Sequence, residues 1–203
     1  ILRNSAAFAI YNSFTPNVIG AFKAYGSTVT GFKGEDVRLS RRAAISSKRL
    51  RGFEQGKIGP KDANDYIGGN YAAAFNFEAS LPNLLPESTG TDIVLFLDAA
   101  NLWGVDYDTS IAESNKIRSS FGLGASVLSP IGPLSFTIAQ NISKADTDQT
   151  ETFNFANWSY SLLSLRSLPG MTFEENMTVS PGSRNKSKCW PVASFAIAAL
   201  DSP

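Results

Sequence analysis

Apolar and polar residues alternate with a period of two along most of the chain up to about Phe155, the pattern of strands with one apolar and one polar face. The clearest case begins after Gly68-Gly69. Asn70, Ala72, Ala74, Asn76 and Glu78 share one face, and Tyr71, Ala73, Phe75, Phe77 and Ala79 share the other, until Pro82 and Pro86 end the run. Thr91 to Trp103 repeats the pattern, with Ile93, Leu95 and Leu97 opposite Asp92 and Asp98. From Lys116 to Ser129, Ile117, Phe121, Leu123 and Val127 oppose Arg118, Ser120, Gly122, Gly124 and Ser126. From Leu134 to Ile142, Leu134, Phe136, Ile138 and Ile142 oppose Ser135, Thr137 and Asn141. A last strand starts at Glu151, with Phe153 and Phe155 on one face. Upstream, Ile1 to Tyr11 reads as a strand, and Val18 to about Thr30 as a weaker one interrupted by Gly20 and Gly26. The pattern predicts an all-β chain of about seven strands.

The connections sort by length. Short turns at Asn12 to Asn17, Leu84 to Gly90 and Pro130 to Pro133 alternate with longer polar loops at Gly31 to Ile67, Gly104 to Ser114 and Ser143 to Thr150. Transmembrane barrels have this asymmetry, with short periplasmic turns and long extracellular loops, and a soluble sandwich has no reason for it. The polar faces agree: Glu78 and Asp98 would be costly in a dry sandwich core unless paired, whereas a wet or network-lined lumen accommodates them. The loop from Gly31 to Ile67 is too long for an idle connection. It holds the basic cluster Arg38, Arg41, Arg42, Lys48 and Arg49, expected to be solvated surface.

Composition narrows the function classes. Lys+Arg and Asp+Glu are equal at 18 each, so no bulk charge points to nucleic acid. The hydrophobic fraction is 43%, yet no uncharged apolar run in the strand region, Ile93 to Leu97 among them, approaches the length of a membrane helix. A barrel strand shows this profile because only every second residue faces lipid, and a soluble sandwich shares it. The absence of His removes the usual general base and the commonest metal ligand. A single Cys, Cys189, excludes an intrachain disulfide. Neither an enzyme nor a bound cofactor is expected. The chain starts at Ile1 without a signal peptide, so an upstream portion is expected to exist.

Leu50-Arg51-Gly52-Phe53-Glu54, within the long loop, resembles the (V/I/L)-R-G-F signature of the BamA-type outer-membrane assembly and translocation family, also called the bacterial surface antigen family. Its companions follow in order: Gly59-Pro60-Lys61, Gly68-Gly69-Asn70, Phe77-Glu78, Leu81-Pro82, Leu97-Asp98, Leu102-Trp103, Ser129-Pro130-Ile131-Gly132-Pro133-Leu134 and Glu151-Thr152-Phe153-Asn154-Phe155. The resemblance implies a partial transmembrane antiparallel β-barrel over residues 1–157, with loop 31–67 folded into the lumen. It implies that Arg51 meets Glu78 and Asp98, that Gly52 permits a turn and that Phe53 anchors the loop by packing. By residue type alone, Arg51 would be a solvated loop cation and the two acids ordinary lumen residues. The implied activity is assembly and insertion of outer-membrane β-barrels in the bacterial outer membrane. A related translocation pore (TamA-like or two-partner secretion) and a plain porin-like barrel stand as alternatives. The implied partners are unfolded outer-membrane proteins as substrates, assembly-complex lipoproteins met through POTRA domains, and lipid or lipopolysaccharide, without nucleic acid.

After Phe155 the chain departs from the family's pattern. Ala156-Asn157-Trp158-Ser159 stands where a final I-G step and a terminal aromatic residue are expected. Residues 158–203 are expected to be an atypical tail outside the barrel, frameshifted near Ala156 or disordered, and the whole chain a gene fragment. Its last apolar stretch, Val192 to Leu200, is too short to span a bilayer as a helix.

Overall fold

The structure is a computed structural model that describes residues 1–31, 35–82, 84–86, 89–105, 111, 115–129, 132–157 and 192–198. Seven antiparallel strands follow the alternating segments: β1 (Leu2–Thr15), β2 (Val18–Thr30), β5 (Tyr71–Leu81), β6 (Thr91–Trp103), β7 (Arg118–Ser129), β8 (Gly132–Ser143) and β9 (Phe153–Asn157). Two short strands, β3 (Lys61–Asp62) and β4 (Asp65–Tyr66), form a separate hairpin inside the long loop. An eighth strand of the main sheet, β10 (Val192–Ala198), comes from the tail. The order in the sheet is β10-β1-β2-β5-β6-β7-β8-β9, so each of the seven pairs with its neighbour in sequence and the sheet is open. The four strands from β5 to β8 are 11, 13, 12 and 12 residues long. Each meets or exceeds the roughly 9–11 residues a tilted transmembrane strand needs.

Register aligns the apolar faces into belts. Ile10 lies opposite Phe22, Phe22 opposite Phe77, Phe77 opposite Leu97 and Leu97 opposite Phe121. A second row runs Leu95, Leu123, Ile138 and Phe153. Phe77, Leu97, Phe121 and Ile138 are all at least 43% exposed, so the outer face is an exposed apolar surface. Phe22 packs on Phe77 at 4.8 Å and Phe136 on Phe155 at 5.1 Å, each pair with its rings tilted by 39°, so aromatic contacts join neighbouring strands. Tyr71 and Trp103 stack at 5.9 Å at the loop end of β5 and β6, the level of an interfacial aromatic girdle.

The opposite face is covered by the long loop. The buried apolar cluster draws Val37, Ala43, Ile45, Leu50, Phe53 and Ile58 from the loop, against Val29, Ala72, Ala74, Ala100 and Leu102 from the strands. Small side chains on β5 and β6 let the loop lie close on the sheet. The loop therefore supplies half of the core, although its sequence has no periodicity. Among its described residues the only helical element is a short 3-10 turn, Leu39–Arg41.

Three expectations need correction. The basic cluster is not uniformly solvated: Arg42 is 6% exposed and donates from Nε to the Val37 carbonyl at 3.3 Å. Arg49 lays its guanidinium over Tyr25 at 3.6 Å. Both exceptions arise because the loop folds against the sheet. The Asn12–Asn17 turn is shorter than expected, since β1 continues to Thr15 with a register shift between Ser13 and Thr15 that absorbs the extra residue. The tail also contributes to the sheet: β10 pairs with β1 from Ser5 opposite Ala198 to Tyr11 opposite Val192. An apolar run too short for a membrane helix is long enough for a strand, and the edge of β1 offers unpaired backbone groups. Residues 158–191, with Trp158, Met171, Met177, Cys189 and Trp190, lie outside the described residues. So do residues 199–203, Pro130 and Ile131 of the short turn, and much of the loop at 104–114.

Candidate functional site: the anchored loop on the inner face

Arg51 stands at the tip of the long loop over β5 and β6. Its Nε and Nη2 donate to Asp98 Oδ2 and Oδ1, both at 2.7 Å, a bidentate fork. Its backbone N–H adds a third bond to Asp98 Oδ2 at 3.1 Å. Nη2 also lies 3.0 Å from Glu78 Oε1, while Lys23 from β2 reaches Glu78 Oε2 at 2.5 Å. The structure thus brings Arg51, Glu78 and Asp98 together. Strand alternation puts both acids on the loop face, and pairing of Asn76 opposite Asp98 puts them side by side.

Burial makes this cluster more than a surface pair. The Asp98 side chain is fully buried and that of Arg51 is 16% exposed. Asp98 also accepts from Asn76 Nδ2 at 2.7 Å, and the same amide donates to the Arg49 carbonyl at 2.9 Å. The Arg51 guanidinium lies 3.8 Å above the Phe96 ring, adding a cation–π contact on its other side. Burial would lower the Arg51 pKa, but the hydrogen bonds and charges of Asp98 and Glu78 outweigh it and raise it above the ordinary value. The guanidinium is therefore locked in its charged form.

Gly52 has φ +85°, a left-handed conformation that L side chains rarely adopt. A Cβ there would stand 2.6 Å from Asn141 Oδ1 and 2.9 Å from Ala139 Cβ, so the loop backbone rests directly on β8. Ser120 Oγ donates to the Arg51 carbonyl. Phe53 is 3% exposed and belongs to the core cluster. It also forms an isolated antiparallel bridge with Thr150 in the β8–β9 loop.

Sequence reasoning did not find the partners of this trio. Lys23 sits in the weakly patterned β2, and Asn76, Phe96 and Ser120 carried no signal beyond their face. A second buried cluster was also missed. Arg118 on β7 donates from Nε and Nη2 to Asp148 Oδ2 and Oδ1 at 2.9 and 3.1 Å, with both side chains fully buried. Among the described residues no group of three or more His, Cys, Asp or Glu could hold a metal ion.

The chain resembles known outer-membrane proteins. The Omp85 superfamily domain model matches residues 2–157. The outer membrane protein assembly factor BamA of Neorickettsia risticii is 30% identical over 130 residues, 63% of this chain and 17% of that protein. BamA of Neisseria meningitidis serogroup B is 29% identical over 135 residues, covering 52% of this chain and again 17% of the relative. Among solved structures, the crystal structure of BamA from Haemophilus ducreyi lacking POTRA domains 1-3 superimposes with a TM-score of 0.67 at 26% identity, over 75% of this chain and 34% of that one. The chain thus spans about a sixth of the length of the curated relatives it matches. The matched region holds the seven consecutive strands and the anchored loop, and the chain belongs to the Omp85 superfamily of bacterial outer-membrane β-barrel proteins.

Proposed function

We propose that this chain is part of a BamA-like barrel that assembles and inserts other β-barrel proteins into the outer membrane. The observation that carries the reading is the loop anchor: Arg51 forks onto buried Asp98 and touches Glu78, so the long loop is held against the inner wall. Such a loop braces the wall from inside while the outer apolar belts face lipid. The work is mechanical. It consists of stabilising a wall whose edge strands can exchange backbone pairing, and it uses no catalytic residue and no cofactor. Substrates would be unfolded outer-membrane proteins, presented as strands to an open sheet edge. Assembly-complex lipoproteins would act through POTRA domains, and lipid or lipopolysaccharide would contact the aromatic belt. The related translocation pore would use the same loop, but both curated relatives compared above are assembly factors. The experiment is Arg51→Ala in the full-length protein, with folding of a model barrel substrate followed by heat-modifiable gel mobility in proteoliposomes. A loss of assembly rate with the barrel itself still inserted is expected, and an unchanged rate would contradict the reading.

A further inference from the structure

Two arginine–carboxylate forks hold the inner face, and they run in opposite directions. In the first, the loop supplies the arginine and the wall the acid. In the second, the wall supplies Arg118 and the β8–β9 loop supplies Asp148. We infer that Arg118 and Asp148 are positioning residues of a second latch, which straps the β8–β9 loop across the Arg51-Gly52-Phe53 tip and sets the start of β9. This inference rests on the docked-loop reading above and adds a device to it.

The geometry around Asp148 is that of a built joint. Besides the bidentate fork, its Oδ2 accepts from the Ala145 N–H at 2.7 Å and its Oδ1 from the Gly59 N–H at 3.4 Å. The carboxylate therefore ties three segments together: its own loop, the long loop at Gly59 and strand β7. Arg118 is oriented on its other side, with Nη1 donating to Asn101 Oδ1 at 2.6 Å and to the Lys116 carbonyl at 3.3 Å. A fully buried ion pair carries a desolvation cost, and removing one partner leaves an uncompensated buried charge, so both groups are tied to this geometry.

What it holds is a short stretch of backbone pairing between the two loops. Gln149 N–H donates to the Lys57 carbonyl at 3.0 Å, Glu54 N–H to the Gln149 carbonyl at 3.1 Å, and Glu151 N–H to the Gly52 carbonyl at 3.1 Å. Phe53 pairs with Thr150 in the middle of this ladder. One residue past it, the Thr152 carbonyl accepts from the Ala139 N–H at 2.9 Å, and β9 begins at Phe153. A single ladder therefore links the Arg51 tip to the first residues of the edge strand. Releasing Asp148 should free the strap and fray β9 from its start, while leaving the Arg51–Asp98 fork closed.

The test is hydrogen–deuterium exchange with mass spectrometry on the full-length protein in lipid vesicles, comparing wild type with Arg118→Gln and Asp148→Asn. In both variants, exchange of peptides spanning 145–155 is expected to rise on the order of a hundredfold. Peptides covering β5 and β6 should keep wild-type protection. Arg51→Ala should do the reverse, deprotecting the long loop first. An unchanged strap in either variant overturns the inference. So does equal loss of protection across the whole sheet, or failure of both variants to assemble, since either would make the pair a general folding element. The readout is local exchange rather than substrate folding, so it is decided separately from the assembly activity.

Discussion

Asp98 is the residue on which the site turns. It is buried, and it receives the Arg51 fork, the Arg51 amide and the Asn76 amide. Asp98→Asn removes the charge while leaving the guanidinium buried, and should cost about 3–5 kcal/mol of stability. Glu78 is partly solvated and shared between Arg51 and Lys23, so Glu78→Gln should cost about 1 kcal/mol. Equilibrium unfolding by urea in lipid vesicles separates the two, and equal costs would contradict the hierarchy. Period-two alternation was enough to place Glu78 and Asp98 on one face, because a strand leaves each side chain only two directions. The resemblance of Arg51-Gly52-Phe53 to a family signature supplied the partner. Arg118 was likewise placed on the polar face, but its partner Asp148 lies in an aperiodic loop 30 positions away, and nothing local to either residue points to the other. Arg42 and Arg49 were misjudged for the same reason: their burial depends on where the loop lands.

The strands obey a rule that the loop does not. Their two faces meet different media, so a charge should be costly on one face and tolerated on the other. Leu97 lies at the middle of the apolar belt, between Phe77 and Phe121. Leu97→Arg should destabilise the barrel by about 2–4 kcal/mol, while Ser126→Arg on the exposed part of the inner face should change it by well under about 1 kcal/mol. Urea unfolding in vesicles of defined thickness measures both, and a reversal of the order would mean the faces are assigned backwards. Strand positions were legible because alternation and turn residues report on the chain's immediate neighbours. The hairpin of β3 and β4, and the core role of Ile45, Leu50 and Ile58, were not, since those contacts follow from packing on a sheet assembled from distant segments. The tail strand β10 was missed because a short apolar run without turn signals fits several states, and pairing with β1 selects one.

At the scale of the molecule, an open eight-stranded sheet has β10 and β9 as edges, and exposed edges are unsustainable in lipid. Membership of the Omp85 superfamily and the match to BamA place this wall in an outer-membrane barrel. The docked loop, with the sheet, is proposed to hold such a wall in a working shape. In that role Arg51 and Asp98 act as one unit. A double-mutant cycle on the full-length protein measures that coupling, using Arg51→Ala, Asp98→Ala and the pair, with the folding rate of a model barrel substrate in proteoliposomes as the readout. The double variant is expected to be no slower than the worse single variant, a coupling of about 1–3 kcal/mol. Additive losses from the two substitutions would contradict it.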